Sequence, residues 1–353
     1  MTTLKHIVTP DDLLLVTGAN GFIGSRVIAT LLDRGFRNLR CFVRPSGNMA
    51  RLENVLKIRK DAIVEIVNGN LMTREDCERA VDGVAVVYHL AAGIEKTFPG
   101  CFMNSVVTTR NLLDAIRDRG CLIRIVNVSS FAVYSNINMK RGSVLDESCE
   151  LESNFMERYD AYAFGKAKQD EIVEEYGRKH GIPYVIVRPG AVYGPGNPGL
   201  TGRVGIDTFG IFLHLGGSNR IPLTYVDNCA EAIVLAGIVE GVDREVFNVV
   251  DDDLPTSRAF LRIYKKNIRS FRSLYVPYHL FYGFCYLWEK YSRWSEGQLP
   301  PAFNRRRCAA DWKGNQYRNE KLKWRLGWMP KVPYDEAVRR FSEFGRMYKG
   351  YAA

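Results

Sequence analysis

Short apolar runs alternate with stretches of helical periodicity along the first half of the chain. From Leu13 the sequence reads LLLVTGANGFIGSRVIATLLDRG, which is an apolar run of strand length, then glycines, then apolar residues at helical spacing. A second apolar run, LRCFVR, begins at Leu39. This order predicts a β-α-β unit whose crossover is long enough to join two parallel strands.

Further apolar runs extend the alternation over residues 62–67, 84–90, 123–128 and 184–187. Strands that alternate with helices predict an α/β fold of the Rossmann type, a doubly wound parallel sheet. After Arg188 the sequence becomes rich in glycine and proline. We expect a sheet domain over residues 1–190, to which the chain crosses back after residue 220. Residues 191–353 should mainly form a smaller lobe over the carboxyl edge of the sheet, where ligands of such folds bind.

The composition is ordinary for a globular protein, because 46% of the 353 residues are apolar and 25% are charged. Disorder, collagen-like repeats and a coiled coil are thereby excluded as descriptions of the whole chain. The eight cysteines are scattered without a C-x-x-C or a zinc-ligand spacing, so we expect free thiols in a reducing compartment and no metal site. The first residues lack a signal-peptide pattern, which favours a cytoplasmic protein.

The formal net charge of +10 comes from one segment. Residues 1–257 carry 28 Lys and Arg against 32 Asp and Glu, whereas residues 258–325 carry 16 against 4. Within this basic segment, residues 274–288 (LYVPYHLFYGFCYLW) contain seven aromatics and no Asp, Glu, Lys or Arg. Two interpretations stay open: a helix lying peripherally on an anionic membrane surface, or a lid or dimer helix with a solvated basic rim. Nucleic-acid binding is a less favoured third.

A glycine-rich group, Gly18-Ala19-Asn20-Gly21-Phe22-Ile23-Gly24, stands directly between the first predicted strand and helix. Its glycines let the backbone turn sharply and approach a pyrophosphate, while the amides at the helix start face the negative charge. The alternative is a tight turn without a ligand. The strand-turn-helix context favours a dinucleotide site.

The end of the second predicted strand bears on the choice of dinucleotide. An acidic side chain there would bind the ribose 2′-hydroxyl of NAD, but this sequence has Arg44, followed by Ser46. Arg44 could pair with a 2′-phosphate, so NADP(H) is favoured and NAD(H) stays open. An exposed arginine without such a role is the alternative.

A third group of polar residues lies behind the glycine loop in sequence. Ser129 and Ser130 follow the strand IVNV, and Tyr162 precedes Lys166 by one helical turn. A free tyrosine is a poor base at neutral pH, but a nearby ammonium lowers its pKa. Tyr162 would then exchange a proton with a substrate oxygen that Ser130 holds.

Together these motifs make the chain similar to an extended short-chain dehydrogenase/reductase, of the NAD(P)-dependent epimerase/dehydratase superfamily. The resemblance covers residues 12–252. Its motifs are TGANGFIG at 17–24, GNL at 69–71, YHLAAG at 88–93, VSSFAVY at 128–134, Tyr162 with Lys166, RPGAVYGPG at 188–196, YVDN at 225–228 and FNVVDD at 247–252.

The resemblance implies a role for each matching residue, and it also implies a homodimer and a small-molecule substrate. Ser130, Tyr162 and Lys166 would be the catalytic triad. The cofactor would contact Gly18, Asn20, Gly21, Phe22, Ile23, Gly24, Arg44, Asn70, Leu71, Leu90, Ala91, Ala92, Val128, Tyr162, Lys166, Pro189 and Val192. The substrate would contact Gly93, Phe131, Tyr193 and Arg220. In the family's N-V-x-G-T helix pattern, this chain has Ser105 and Thr108 instead of asparagine and glycine, which puts that cofactor contact in doubt; Asn104 is a neighbouring candidate.

The branch of the family is indicated by single residues. The position two residues after Ser130 is Ala132 rather than a carboxylate, which disfavours dehydratases and decarboxylases. Phe131 and the YVDN motif favour the branch of 3β-hydroxysteroid dehydrogenases and dihydroflavonol reductases. We therefore expect hydride transfer between a nicotinamide and a carbonyl or secondary alcohol of an apolar, steroid- or lipid-like molecule. Arg220 keeps a nucleotide-sugar epimerase with bound NAD as the alternative, and a redox-sensing regulator is a weaker one.

Overall fold

A seven-stranded parallel sheet forms the centre of the computed structural model, which describes residues 5–58, 62–208, 210–296 and 298–351. The strands are β1 (Leu14–Thr17), β2 (Asn38–Val43), β3 (Ile63–Asn68), β4 (Val86–His89), β5 (Arg124–Val128), β6 (Val144–Leu145), β7 (Tyr184–Pro189), β8 (Ala191–Tyr193), β9 (Gly205–Thr208), β10 (Ile211–His214), β11 (Leu223–Tyr225), β12 (Val246–Val249), β13 (Ser273–Tyr275) and β14 (Gln316–Tyr317). The central sheet has the order β3-β2-β1-β4-β5-β7-β12, with every pair parallel.

The helices flank this sheet and build the second lobe. They are α1 (Phe22–Asp33), α2 (Ala50–Ile58), α3 (Arg74–Val81), α4 (Phe98–Cys101), α5 (Thr108–Arg119), α6 (Phe155–Arg158), α7 (Ala161–His180), α8 (Val226–Ile238), α9 (Ser257–Asn267), α10 (Tyr278–Trp294), α11 (Arg305–Trp312), α12 (Glu320–Leu326) and α13 (Tyr334–Tyr351). A π-helix (Phe102–Val107) joins α4 to α5, and a 3-10 helix (Phe131–Val133) follows β5.

Both faces of the sheet are covered, which explains why its strands are almost continuously apolar. Side chains alternate along β1, so Leu14 and Val16 pack on one side, toward α1 and α8. Leu15 packs on the other side, with residues of α3, α5 and α7. The predicted doubly wound α/β fold is confirmed.

The chain leaves the sheet after β7 and comes back to it with α8 and β12. Between them, β8 pairs with β11, while β9, β10 and β13 form a separate three-stranded sheet. An aromatic core holds the second lobe together, with Tyr193 edge-on to Phe260 and Phe341 at 5.7 Å. The lobe therefore has its own packed interior beside the carboxyl ends of the sheet strands.

The apolar run and the cysteines noted in the sequence have defined positions in this fold. The apolar run 274–288 is divided: β13 takes its start, and α10 begins at Tyr278. All eight cysteines are free thiols, and six of them are buried.

Residues 1–4, which belong to the stretch without a signal-peptide pattern, lie outside the described residues, as does residue 297 of the basic segment. Within the described ranges, no helix is both long enough and apolar enough to cross a membrane.

Candidate active site

Two glycines of the loop between β1 and α1 are required, one by its backbone conformation and one by lack of space. Gly18 has a φ of 68°, in the left-handed region that favours glycine. A Cβ atom on Gly24 would lie 2.1 Å from the carbonyl oxygen of Gly18. The N-cap of α1 is Gly21, which offers no side-chain cap, and the first turn carries no acidic residue. The amides at the helix start therefore suit a phosphate group.

A cleft of about 540 Å³ opens in front of this loop. It is lined by all the residues predicted to contact the cofactor: Gly18, Asn20, Gly21, Phe22, Ile23, Gly24, Arg44, Asn70, Leu71, Leu90, Ala91, Ala92, Val128, Tyr162, Lys166, Pro189 and Val192. Ser130 also lines it. Among the described residues of this lining none is acidic, whereas Arg44 and Lys166 are basic. The cleft thus fits a long anionic ligand such as a dinucleotide.

None of the four residues predicted to contact a substrate is among the described residues that line this cleft. Phe131 is only 2% exposed, and its ring packs edge-on against Tyr134 and Tyr317. Tyr193 is equally enclosed in the aromatic core of the second lobe. An apolar substrate can therefore no longer be inferred from the Phe131 ring.

Gly93 and Arg220 also serve the protein's own structure. The Gly93 amide donates a hydrogen bond to Ser105 Oγ at 3.0 Å, and Gly93 is buried. Arg220 is exposed, and its guanidinium donates to the carbonyl oxygen of Leu254. Each of these two residues thus has a contact within the protein, and their predicted contact with a substrate stays a prediction.

Ser130 and Tyr162 meet at the inner end of the cleft. Ser130 caps the 3-10 helix, since its Oγ accepts a hydrogen bond from the Ala132 amide at 3.1 Å. Tyr162 is the second residue of α7, which begins where Asp160 accepts a hydrogen bond from the Ala163 amide. Burial raises the pKa of Tyr162, and a hydrogen bond with the Ser130 hydroxyl lowers it without cancelling that effect.

The spacing of Tyr162 and Lys166 led us to expect a lowered pKa for Tyr162, but the net shift of its pKa is upward. Lys166 Nζ is turned into the protein, where it donates to the Val128 carbonyl oxygen at 2.6 Å and to Gln169 Oε1 at 3.0 Å. Burial lowers the pKa of Lys166 to about 8, and the carboxylate of Asp170 partly opposes that shift. Lys166 is therefore mostly charged at pH 7, while Tyr162 keeps its proton.

A chain of buried hydrogen bonds connects Lys166 with the end of β1. Gln169 Nε2 donates to Thr109 Oγ1 at 2.8 Å, and Thr109 Oγ1 lies 2.9 Å from His89 Nε2. The other ring nitrogen of His89 lies 2.8 Å from Thr17 Oγ1. Burial lowers the pKa of His89 to about 3, so the ring is neutral at physiological pH.

A buried ion pair fixes α7 against the sheet, one turn after Lys166. Arg188 Nη2 lies 3.1 Å from Asp170 Oδ2, with side-chain exposures of 3% and 2%. Asn127 and Ser129 each donate to the same carboxylate at 2.8 Å. Because buried charges are tolerated only when paired and hydrogen-bonded, this arrangement defines one position for the helix that carries Tyr162 and Lys166.

The departure at Ser105 lies in the π-helix, and the departure at Thr108 lies at the start of α5. Ser105 is buried, whereas Asn104 and Thr108 line the cleft. π-Helical turns are rare and frequently occur at functional sites. Asn104, named in the sequence as a neighbouring candidate, thus reaches the cleft together with Thr108, whereas Ser105 does not line it.

Sequence reasoning missed several residues that shape the site. The cleft is also lined by Phe42, Ile94 and Asn197, and the network behind Lys166 contains Thr17, His89, Thr109, Gln169, Asp170 and Arg188. The spacing of Lys166, Gln169 and Asp170 was an available signal, because positions three and four residues apart share a helix face.

The sequence of this chain is similar to those of known proteins over most of its length. A family model described as "NAD dependent epimerase/dehydratase family" matches residues 14–249. Cinnamoyl-CoA reductase 1 of Oryza sativa subsp. japonica is 30% identical over 52% of this chain and 54% of its own length, so the chain spans about half of that relative. Sterol-4-alpha-carboxylate 3-dehydrogenase, decarboxylating, of Mus musculus is 24% identical over 96% of this chain and 92% of its own.

A solved structure extends the likeness over nearly the whole fold. UDP-glucose 4-epimerase of Thermotoga maritima, determined with UDP-glucose, superposes with a TM-score of 0.68 and 21% identity. The superposition covers 96% of this chain and 99% of that one. At this identity the likeness concerns the fold.

Proposed function

Because the chain belongs to the NAD dependent epimerase/dehydratase family, we propose that it is an NADP(H)-preferring oxidoreductase acting on a carbonyl or secondary alcohol of a small apolar molecule. One observation carries the proposal: Ser130, Tyr162 and Lys166 line the same cleft as the glycine loop. A dinucleotide lying along that loop would extend toward these three side chains. A bound nicotinamide cofactor would supply the hydride.

The three side chains divide the remaining work. Tyr162 is protonated at neutral pH, as an ordinary tyrosine is, and burial raises its pKa further, so a proton is present for donation to a carbonyl oxygen. Ser130, hydrogen-bonded to Tyr162, would hold the same oxygen. Lys166, charged below pH 8, would hold a ribose hydroxyl and favour negative charge nearby. This state of the site suits reduction of the carbonyl.

The preference for NADP(H) rests on the rim of the cleft. Arg44 is exposed at the end of β2, where it can reach a 2′-phosphate. The described lining contains no carboxylate that would accept a ribose 2′-hydroxyl or repel a phosphate. Both features support the phosphorylated dinucleotide.

An apolar substrate is supported by the mouth of the cleft and by relatives. Ile94 is 86% exposed there, an uncovered aliphatic side chain beside the cleft. The sterol dehydrogenase and the cinnamoyl-CoA reductase act, by their names, on substrates with large apolar groups. The solved epimerase bound to UDP-glucose keeps a nucleotide sugar as the competing substrate class. Arg220, which would bind the diphosphate of a nucleotide sugar, is not among the described residues that line the cleft.

The test is to follow NADPH and NADH absorbance with purified protein, using apolar ketones and UDP-sugars in parallel. We expect net oxidation of the cofactor with a ketone, faster with NADPH. An isomerised UDP-sugar without net cofactor oxidation would instead identify an epimerase. Activity with neither class would contradict the proposed reaction.

A further inference from the structure

Helix α10 presents an apolar stripe to the outside of the molecule. Leu280, Phe284, Leu287, Tyr291 and Trp294 follow one another at intervals of four and three residues, so they lie along one side of the helix. Their exposures are 68%, 42%, 65%, 48% and 77%. We call these five residues the outer stripe. Such a run of exposed apolar side chains indicates a surface that contacts a partner.

The opposite side of α10 fixes this orientation. Phe281 and Cys285 are buried, and the Phe281 ring packs edge-on against Trp312 of α11 at 5.4 Å. Glu289 is turned toward α11 as well, where it pairs with Arg305 at 2.9 Å. The outer stripe is therefore exposed because the other face of the helix is already packed.

Exposed cationic side chains lie close to the stripe in the sequence. Lys290 and Arg293 are exposed on α10, and Arg269 and Arg272 are exposed just before β13. In the part of the chain that the structure describes, none of these four forms an ion pair with a carboxylate. Leu274 and Tyr275 of β13, just before the helix, add two apolar side chains that are 59% and 47% exposed.

We propose that the outer stripe and these cations dock on an anionic phospholipid surface, with α10 lying in the plane of the interface. The helix has 17 residues and is about 25 Å long, and its inner face stays packed on the protein, so it would lie on the membrane rather than cross it. Aromatic rings such as those of Tyr291 and Trp294 suit the boundary between headgroups and acyl chains.

Charge complementarity selects this partner over the alternatives. Two copies facing each other through α10 would bring the same unpaired cations together, whereas an anionic surface attracts them. A nucleic acid would attract the cations too, but it would leave Leu280 and Leu287 without apolar contacts. An anionic phospholipid surface would offer apolar contacts to the outer stripe and negative charge to the cations.

The experiment is co-sedimentation of the full chain with vesicles of phosphatidylcholine alone and of phosphatidylcholine mixed with phosphatidylserine. We expect binding to the mixed vesicles that weakens as salt is added. Leu287→Glu and the double variant Lys290→Glu with Arg293→Glu should each lower the affinity by about tenfold or more. These positions are exposed, so the variants should keep their melting temperature.

Matched controls separate the surface from general effects. Trp324→Glu changes an 80% exposed tryptophan on α12, outside the outer stripe. The double variant Arg37→Glu with Lys57→Glu removes the same net charge near the other end of the sheet. Both should bind vesicles like the wild type. Equal losses in the controls, no binding to anionic vesicles, or a dimer abolished by Leu287→Glu in analytical ultracentrifugation without vesicle binding would each overturn the proposal.

Discussion

The two ends of the cleft are built from different parts of the chain. At the glycine-loop end, the shape is set by the backbone, and a single Cβ on Gly24 would collide with the Gly18 carbonyl. At the catalytic end, buried side chains set the geometry: Lys166 is held by Gln169 and by the Val128 carbonyl. The first end therefore depends on steric fit, and the second on charge and hydrogen bonding.

This difference separates binding from chemistry. Changes at the glycine loop should weaken cofactor binding, and they should do so equally at every pH. Changes at the catalytic end should lower turnover, as at Tyr162, or alter the pH dependence of cofactor binding, as at Lys166. The following predictions test that division, beginning with the largest effect.

Tyr162→Phe should lower turnover by about a thousandfold, because it removes the proton donor. The ring stays, so the packing is kept and the dissociation constant for NADPH should change less than about threefold, below one hydrogen bond's usual contribution. Steady-state rates and equilibrium fluorescence titration measure the two quantities. Tyr159→Phe, at an exposed tyrosine outside the cleft, is the control. Wild-type turnover in Tyr162→Phe would remove this residue as the acid.

Gly24→Ala should weaken NADPH binding by about a hundredfold, since the added methyl group forces the loop away from α1 and overpacking costs about 1–3 kcal/mol. Gly283→Ala is the matched control, because a Cβ there meets nothing within 4 Å. Fluorescence titration and thermal melting should be compared for both. Unchanged binding in a folded Gly24→Ala protein would show that the ligand does not lie against this loop.

The sequence allowed the cofactor side of the cleft to be predicted because it is local. An apolar run followed by glycines reveals the loop after β1, whereas residues such as Asn70 and Leu90, at the ends of later strands, were assigned through the resemblance to the family. The seventh strand, β12, was not among the predicted apolar runs, although the chain was expected to cross back to the sheet after residue 220. Its sequence VFNV is short, and it joins the sheet only after β8 to β11. The contacts of Gln169 with Thr109 join distant parts of the chain, so no local pattern could predict them.

Residues that contact a substrate were harder to predict from the sequence, for a different physical reason. An aromatic residue beside a catalytic serine can face either the ligand or the core, and its periodicity is the same in both cases. Phe131 and Tyr193 pack into the second lobe, which supplies the apolar contacts their rings require. The lobe's packing, rather than the motif, decides which side chains reach the cleft.

Arg44→Ala should reduce the preference for NADPH over NADH by about tenfold, the usual range for one charged hydrogen-bonding group. The change affects the glycine-loop end of the cleft, so turnover with saturating NADPH should be kept. Arg51→Ala is the control, because Arg51 donates to the Gly196 carbonyl oxygen at 2.8 Å. Equal loss of affinity for both dinucleotides would mean that Arg44 does not contact the 2′-phosphate.

The smallest expected effect is the pH dependence of the catalytic end. The pKa of Lys166 is lowered to about 8, so the amine is charged below that pH and neutral above it. Cofactor that binds the charged amine should bind several-fold more weakly as pH rises from about 7.5 to about 9.5, with the midpoint at or above 8. In this range Asp251, whose pKa burial raises to about 7, is already mostly ionised, and His89 stays neutral.

Lys166→Arg distinguishes the two ends of the cleft in that titration. A guanidinium keeps its charge throughout this range, so NADPH affinity should become flat with pH even where the geometry is poorer. Gly24→Ala should bind weakly but keep the wild-type slope, because the glycine loop has no titratable side chain. A wild-type slope in Lys166→Arg would assign the proton to another group and would contradict the division between a steric end and a charged end.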